Sequence, residues 1–87
     1  MIETTNPTGK QIAAARVLAG IGQVELAERA NVSAPTVRRM EATDGPITGM
    51  ANNVAAVIAA LEQAGIQFLA AGDTAEGPGV AIRPVSI

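Results

Sequence analysis

The chain is 87 residues long and carries 6 Lys and Arg against 8 Asp and Glu, a formal net charge of −2. That length supports one small core, and a domain of this size buries only about 60–65% of its unfolded surface, so dimerisation would help it. Cys, His, Trp and Tyr are absent and Phe68 is the sole aromatic, which excludes disulfides, thiol or imidazole catalysis, zinc sites and an aromatic platform for single-stranded nucleic acid.

Residues 1–7 are polar and read as a flexible arm. Thr8 is placed to cap a helix over about 8–20, in which Ile12, Ala15, Leu18 and Ala19 recur at helical spacing before Gly20-Ile21-Gly22 ends the run. A second pattern follows in Val24, Leu26, Ala27 and Ala30, with Asn31 as a left-handed cap. Ser33 then caps a third helix, Pro35 sits in its first turn, and Val37 and Met40 face inward. Thr48 or Gly49 opens a fourth helix with a Val54, Val57, Ile58 and Leu61 stripe, closed by Gly65; Met40 and Met50 are expected as core or rim. Ile66–Leu69 and Val80–Arg83 have strand character around a turn-rich 71–79, which predicts a β-hairpin tail over 66–87. An isolated hairpin is marginal in water, so Phe68, Leu69, Val80 and Ile82 must close the monomer core or form a dimer or partner contact, and so small a core favours the dimer. No apolar stretch is long enough to span a membrane, and the N-terminal residues have no secretory h-region; a cytoplasmic domain is expected.

The informative segment is Gln23–Glu41. Ala27 is small where two helices cross, the turn Asn31-Val32-Ser33 is short, and Val32 plugs its inner side. Two short helices joined by so tight a turn have the shape that lays the second helix in a major groove. Gln23, Leu26, Ala27, Val32, Ser33, Thr36, Val37, Met40 and Glu41 together resemble the Cro/cI-type (XRE) helix–turn–helix family of small bacterial and phage transcriptional regulators. The likeness covers roughly residues 10–63. It implies a mainly α, four-to-five-helix, lambda-repressor-like DNA-binding domain over 8–65, here with the short C-terminal hairpin.

The resemblance also assigns expected roles. Gln23 would contact a phosphate at a helix start. Ser33, Ala34, Pro35 and Thr36 would face base edges and phosphates, and Arg39, on the face of Thr36, would reach a guanine. Arg38, about 100° around the helix, would contact the DNA backbone or a partner, and Thr48 would add a phosphate contact at the start of the fourth helix. Arg16 and Glu41 would form a buried ion pair. Three features depart from the family pattern: Gly22 where a Ser or Thr cap is usual, the short Ala34-Pro35 pair, and the acidic balance. Even so, residues 10–41 carry five basic and three acidic groups, while 42–87 carry only Arg83 against four acids. The expected function is a sequence-specific DNA-binding regulator, in the first instance a repressor, acting as a homodimer on double-stranded DNA. The alternative is a protein-binding antiactivator or adaptor that sequesters a regulator. With no paired carboxylates, phosphate-cradling Gly loop or metal constellation, neither enzyme activity nor a cofactor, metal or small-molecule substrate is expected.

Overall fold

A computed structural model describes residues 6–83. It is mainly helical, with α1 (Gly9–Ala19), α2 (Gln23–Ala30), α3 (Ala34–Glu41) and α4 (Ala51–Gln63). Each boundary has a local cause. Thr8 and Gln11 form a capping box: the Thr8 hydroxyl accepts from the Gln11 N–H (3.1 Å), and the Gln11 side chain accepts from the Thr8 N–H (2.8 Å). Asn31 ends α2 in the left-handed region (φ 56°). Ser33 Oγ accepts from the Thr36 N–H (3.2 Å), and Pro35 lies in the first turn of α3, where a missing N–H leaves no intrahelical bond unmade.

The core draws on all four helices and on the loops between them. Ile12, Leu26, Ile47, Leu61, Val37 and Val57 are fully buried, with Ala15, Ala27, Ala30, Met40, Val54 and Ala60 completing the cluster. Four of the thirteen buried hydrophobic residues are Ala, each of which contributes little buried area, so the larger Ile, Leu, Val and Met side chains carry most of the hydrophobic stabilisation. Ile21 and Ile47 lie in loops yet are buried; neither belongs to a periodic run, so helical spacing did not mark them. Conversely Leu18, Val24 and Met50, expected inward or at the rim, are exposed by 59–67%.

Ile47 also ties down the chain's beginning. Its N–H donates to the Pro7 carbonyl (2.9 Å), and its carbonyl accepts from Asn6 Nδ2 (3.1 Å). The expected arm therefore does not include Asn6 and Pro7; its residues 1–5 lie outside the described residues. Next to this contact the start of α1 meets the end of α3. The Gly9 N–H donates to the Gly45 carbonyl (3.2 Å), and Thr8 bridges Pro46. Gly9 is buried, and a Cβ there would overlap the carbonyl oxygens of Met40 and Thr43.

Two expectations are corrected. α4 begins at Ala51, after Met50 as its N-cap, because Gly49 takes φ 136° and Met50 is extended (ψ 130°); Thr48 thus stands in the linker ahead of the helix. The tail forms no hairpin among the described residues. Ile66 and Phe68 pack against the chain's own core. The chain does reverse at 70–73, where the Asp73 N–H donates to the Ala70 carbonyl (3.0 Å) and the Ala70 N–H to Asp73 Oδ2 (2.9 Å). The two limbs are joined by the Gln67 side chain, which donates to the Thr74 carbonyl (3.2 Å) and accepts from the Glu76 N–H (2.9 Å). Beyond it the returning limb is solvent-exposed, Val80 by 95% and Ile82 by 94%. A ladder between two short strands across a Gly- and Pro-rich tip gains too little to offset the ordering entropy. Phe68 accordingly serves the monomer core, Leu69 is half-buried, and Val80 and Ile82 stand free. No described helix is long and apolar enough to cross a membrane.

Candidate nucleic-acid interface

The α2–turn–α3 unit is held to α1 by a polar cluster. Arg16 Nε donates to Glu41 Oε2 at 2.7 Å and its Nη2 to Oε1 at 3.2 Å, a two-pronged pair with side chains only 18% and 8% exposed. A third guanidinium donor, Nη1, reaches the Ile21 carbonyl (3.3 Å). Hydrogen bonding to the Glu41 carboxylate, together with that group's negative charge, raises the Arg16 pKa above its ordinary value against the opposing effect of burial. Gln23 Nε2 also donates to Glu41 Oε1 (2.9 Å). The amide of Gln23, expected on a phosphate, is therefore turned inward; α2 also starts at Gly22 without a side-chain cap.

The orientation of α3 follows from this anchoring. Val37 and Met40 are buried in the core cluster that also contains Leu26 and Ala30 of α2. The opposite surface carries Ser33, Pro35, Arg38 and Arg39, all exposed, while Ala34 and Thr36 are half-buried and Ala34 packs against the core. The Ser33 and Thr36 hydroxyls lie 2.8 Å apart and share a hydrogen bond. Among the described residues Arg29 is paired with Glu25 (2.6 Å) and Arg16 with Glu41, whereas Arg38 and Arg39 are in no ion pair. The uncompensated positive charge of this half of the chain is thus concentrated on the outer face of α3, with Lys10 exposed on α1.

A cleft of about 380 Å³ runs between α3 and the start of α4. It brings Thr36, Arg39 and Thr48 together and adds Thr43 and Asn53, which sequence patterning did not single out. The signal for Asn53 was the polar Asn52-Asn53 pair in the first turn of an otherwise apolar helix. Thr43 Oγ1 donates to the Arg39 carbonyl (3.0 Å), joining the cleft wall to the end of α3. The cleft is lined by three threonines, the Asn53 amide and the Arg39 guanidinium together with Met40, Gly49 and Met50, and by no carboxylate. The first turn of α4 likewise holds no acidic residue and its N-cap no side-chain hydrogen bond, so its free N–H groups add to an environment that favours an anion. Arg38 lies outside this cleft, one residue around the helix. Among the described residues no three His, Cys, Asp or Glu side chains are grouped to hold a metal ion. No protein-family profile matches the chain, and no curated protein sequence matches it.

Proposed function

We propose that the protein is a DNA-binding regulator of the Cro/cI helix–turn–helix type, acting as a homodimer that lays α3 of each protomer in a major groove. The observation that carries this reading is the pairing pattern of the cations: Arg16 and Arg29 are neutralised within the fold, while Arg38 and Arg39 stand unpaired on an exposed helix beside a carboxylate-free cleft. A phosphate seated in the cleft between Thr36, Thr48 and Asn53 would fix the register of α3, leaving Arg39 within reach of a guanine edge and Pro35 against a thymine methyl. The acidic total charge is no obstacle, because the local field decides binding: residues 10–41 carry five basic against three acidic groups, and the acidic excess lies in residues 42–87, where Arg83 stands against four acids.

Titration of duplex DNA over a salt series tests the reading. With about three or four phosphates neutralised per protomer, log K should fall with log salt at a slope of about −3 per protomer. Arg39→Ala is expected to cost about 1–3 kcal/mol and to relax preference at one base position, whereas Arg38→Ala should weaken all sequences alike. Equal binding by wild type and Arg39→Ala would count against α3 as the reading helix.

The exposure of Val17 (68%), Leu18 (63%) and Val24 (59%) favours a second reading, in which the same fold captures a protein regulator as an antiactivator or adaptor. A stoichiometric protein complex blocked by Leu18→Asp, with no DNA complex at low salt, would distinguish it.

A further inference from the structure

A groove of about 610 Å³ runs along α4 and meets the cleft facing α3 at Thr48 and Gly49, with Ile47 and Val54 at its base, Ala51, Ala55 and Ile58 along its sides and Glu62 at its C-terminal end. Glu62 is the groove's one charged lining residue. We propose that this groove receives residues 79–83 of a second copy of the chain, with that copy's Val80 over Val54, Ile82 over Ile58 and Arg83 against Glu62. The proposal deepens the homodimeric reading above and rests on it by naming the surface through which two copies join.

Three observations converge on it. The apolar spacing matches: Val54 and Ile58 are four residues apart, about 6 Å along a helix, and Val80 and Ile82 are two residues apart, about 6.6 Å in an extended chain; Arg83, the next residue, leaves from the opposite edge of the segment and reaches Glu62 at the groove's end by the length of its own side chain. The charges match as well. Arg83 is the only cation after Arg39 in the sequence, and among the described residues neither Arg83 nor Glu62 is in an ion pair. Finally, the limb has apolar side chains with nothing to cover them: Val80 and Ile82 are 95% and 94% exposed, side by side with no chain packed on them.

The occupant is a second copy because of where the limb is tied. The Ile66 N–H donates to the Leu61 carbonyl (3.0 Å), and Gln67 holds Thr74 and Glu76 beside it, so the base of the limb sits at the C-terminal end of its own α4. Entering its own groove from that end would carry Arg83 away from Glu62 and toward Ala51. A limb arriving from another molecule can run parallel to α4 and finish with Arg83 at Glu62. Two reciprocal contacts of this kind form a closed, two-fold arrangement.

Sedimentation equilibrium on the full chain tests this with Glu62→Arg, Arg83→Glu and the double exchange. Both side chains are exposed, so far-UV circular dichroism should show the fold retained. Wild type is expected to be dimeric, each single exchange to weaken the dimer by about tenfold, and the double exchange to recover most of the loss. Wild type that stays monomeric at millimolar concentration, or a dimer indifferent to both exchanges, would overturn the proposal. So would exchanges that shift a concentration-independent melting temperature, which place the limb in its own groove. DNA titration of the same samples separates the two readings: a dimer with this charge dependence but no DNA complex removes the regulator and leaves the interface, and a DNA complex with no such dimer does the reverse.

Discussion

Replacing Glu41 with Ala is expected to destabilise the protein by about 3–5 kcal/mol, a large share of the roughly 5–15 kcal/mol that holds a small domain together. The substitution leaves the largely buried Arg16 guanidinium with only the Ile21 carbonyl and strands the Gln23 amide, so two sets of donors lose their acceptor at once. The loss reports the stranding rather than the net value of the pair. Arg16→Met combined with Glu41→Leu, which removes both charges and keeps the volume, should therefore recover most of the stability. Urea unfolding of the four proteins of that cycle measures both quantities. A single substitution costing under about 1 kcal/mol would mean that the pair is solvated and does not join α1 to α3.

Gly9→Ala is expected to cost about 3 kcal/mol, and by the usual scaling for a domain of this size to lower the melting temperature by more than about 12 °C. Gly9 lies at the first position of α1 with an ordinary backbone conformation, so the cost comes from space. Its added methyl would overlap the Met40 and Thr43 carbonyl oxygens and come within 2.9 Å of that of Glu41. These acceptors are backbone atoms at the end of α3, and moving them shifts the helix that carries Arg38 and Arg39. Gly22 provides the contrast. A Cβ at Gly22 meets nothing within 4 Å, and Gly22→Ser should be neutral or stabilise α2 by a few tenths of a kcal/mol as a cap. Thermal melts of the two variants should separate clearly; similar melting temperatures would show that α1 and α3 are not closely apposed at Gly9.

The helices were readable from sequence because their causes are local. Thr8 with Gln11, Asn31, and Ser33 followed by Pro35 each satisfy or end a backbone segment within four residues, and the Leu26, Val37 and Leu61 positions follow the helical repeat. What escaped depends on contacts between distant residues. Ile47 is buried because Asn6 and Pro7 bond its backbone from 40 and more residues away. The closeness of Gly9 to α3 has no signature at Gly9 itself. The tail had strand-like composition, but composition cannot supply a partner strand, and in the single chain the Gln67 amide joins the limbs where a backbone ladder was expected. Of the candidate site, the exposed face of α3 was evident from Val37 and Met40 facing inward. Ala34 half-covered against the core, Gln23 turned to Glu41, and the arrival of Asn53 and Thr43 beside Arg39 required the packing of α3, α2 and α4.

Selection of bound sequences from a random pool of duplex DNA, with Arg39→Ala run in parallel, tests the regulator reading most directly. It should enrich an inverted repeat whose half-site centres lie about 10 base pairs apart, with one conserved guanine per half-site that Arg39→Ala no longer selects. A folded protein that retains no duplex above background at low salt, or enriches no sequence after repeated rounds, would contradict the assignment of α3 to the major groove.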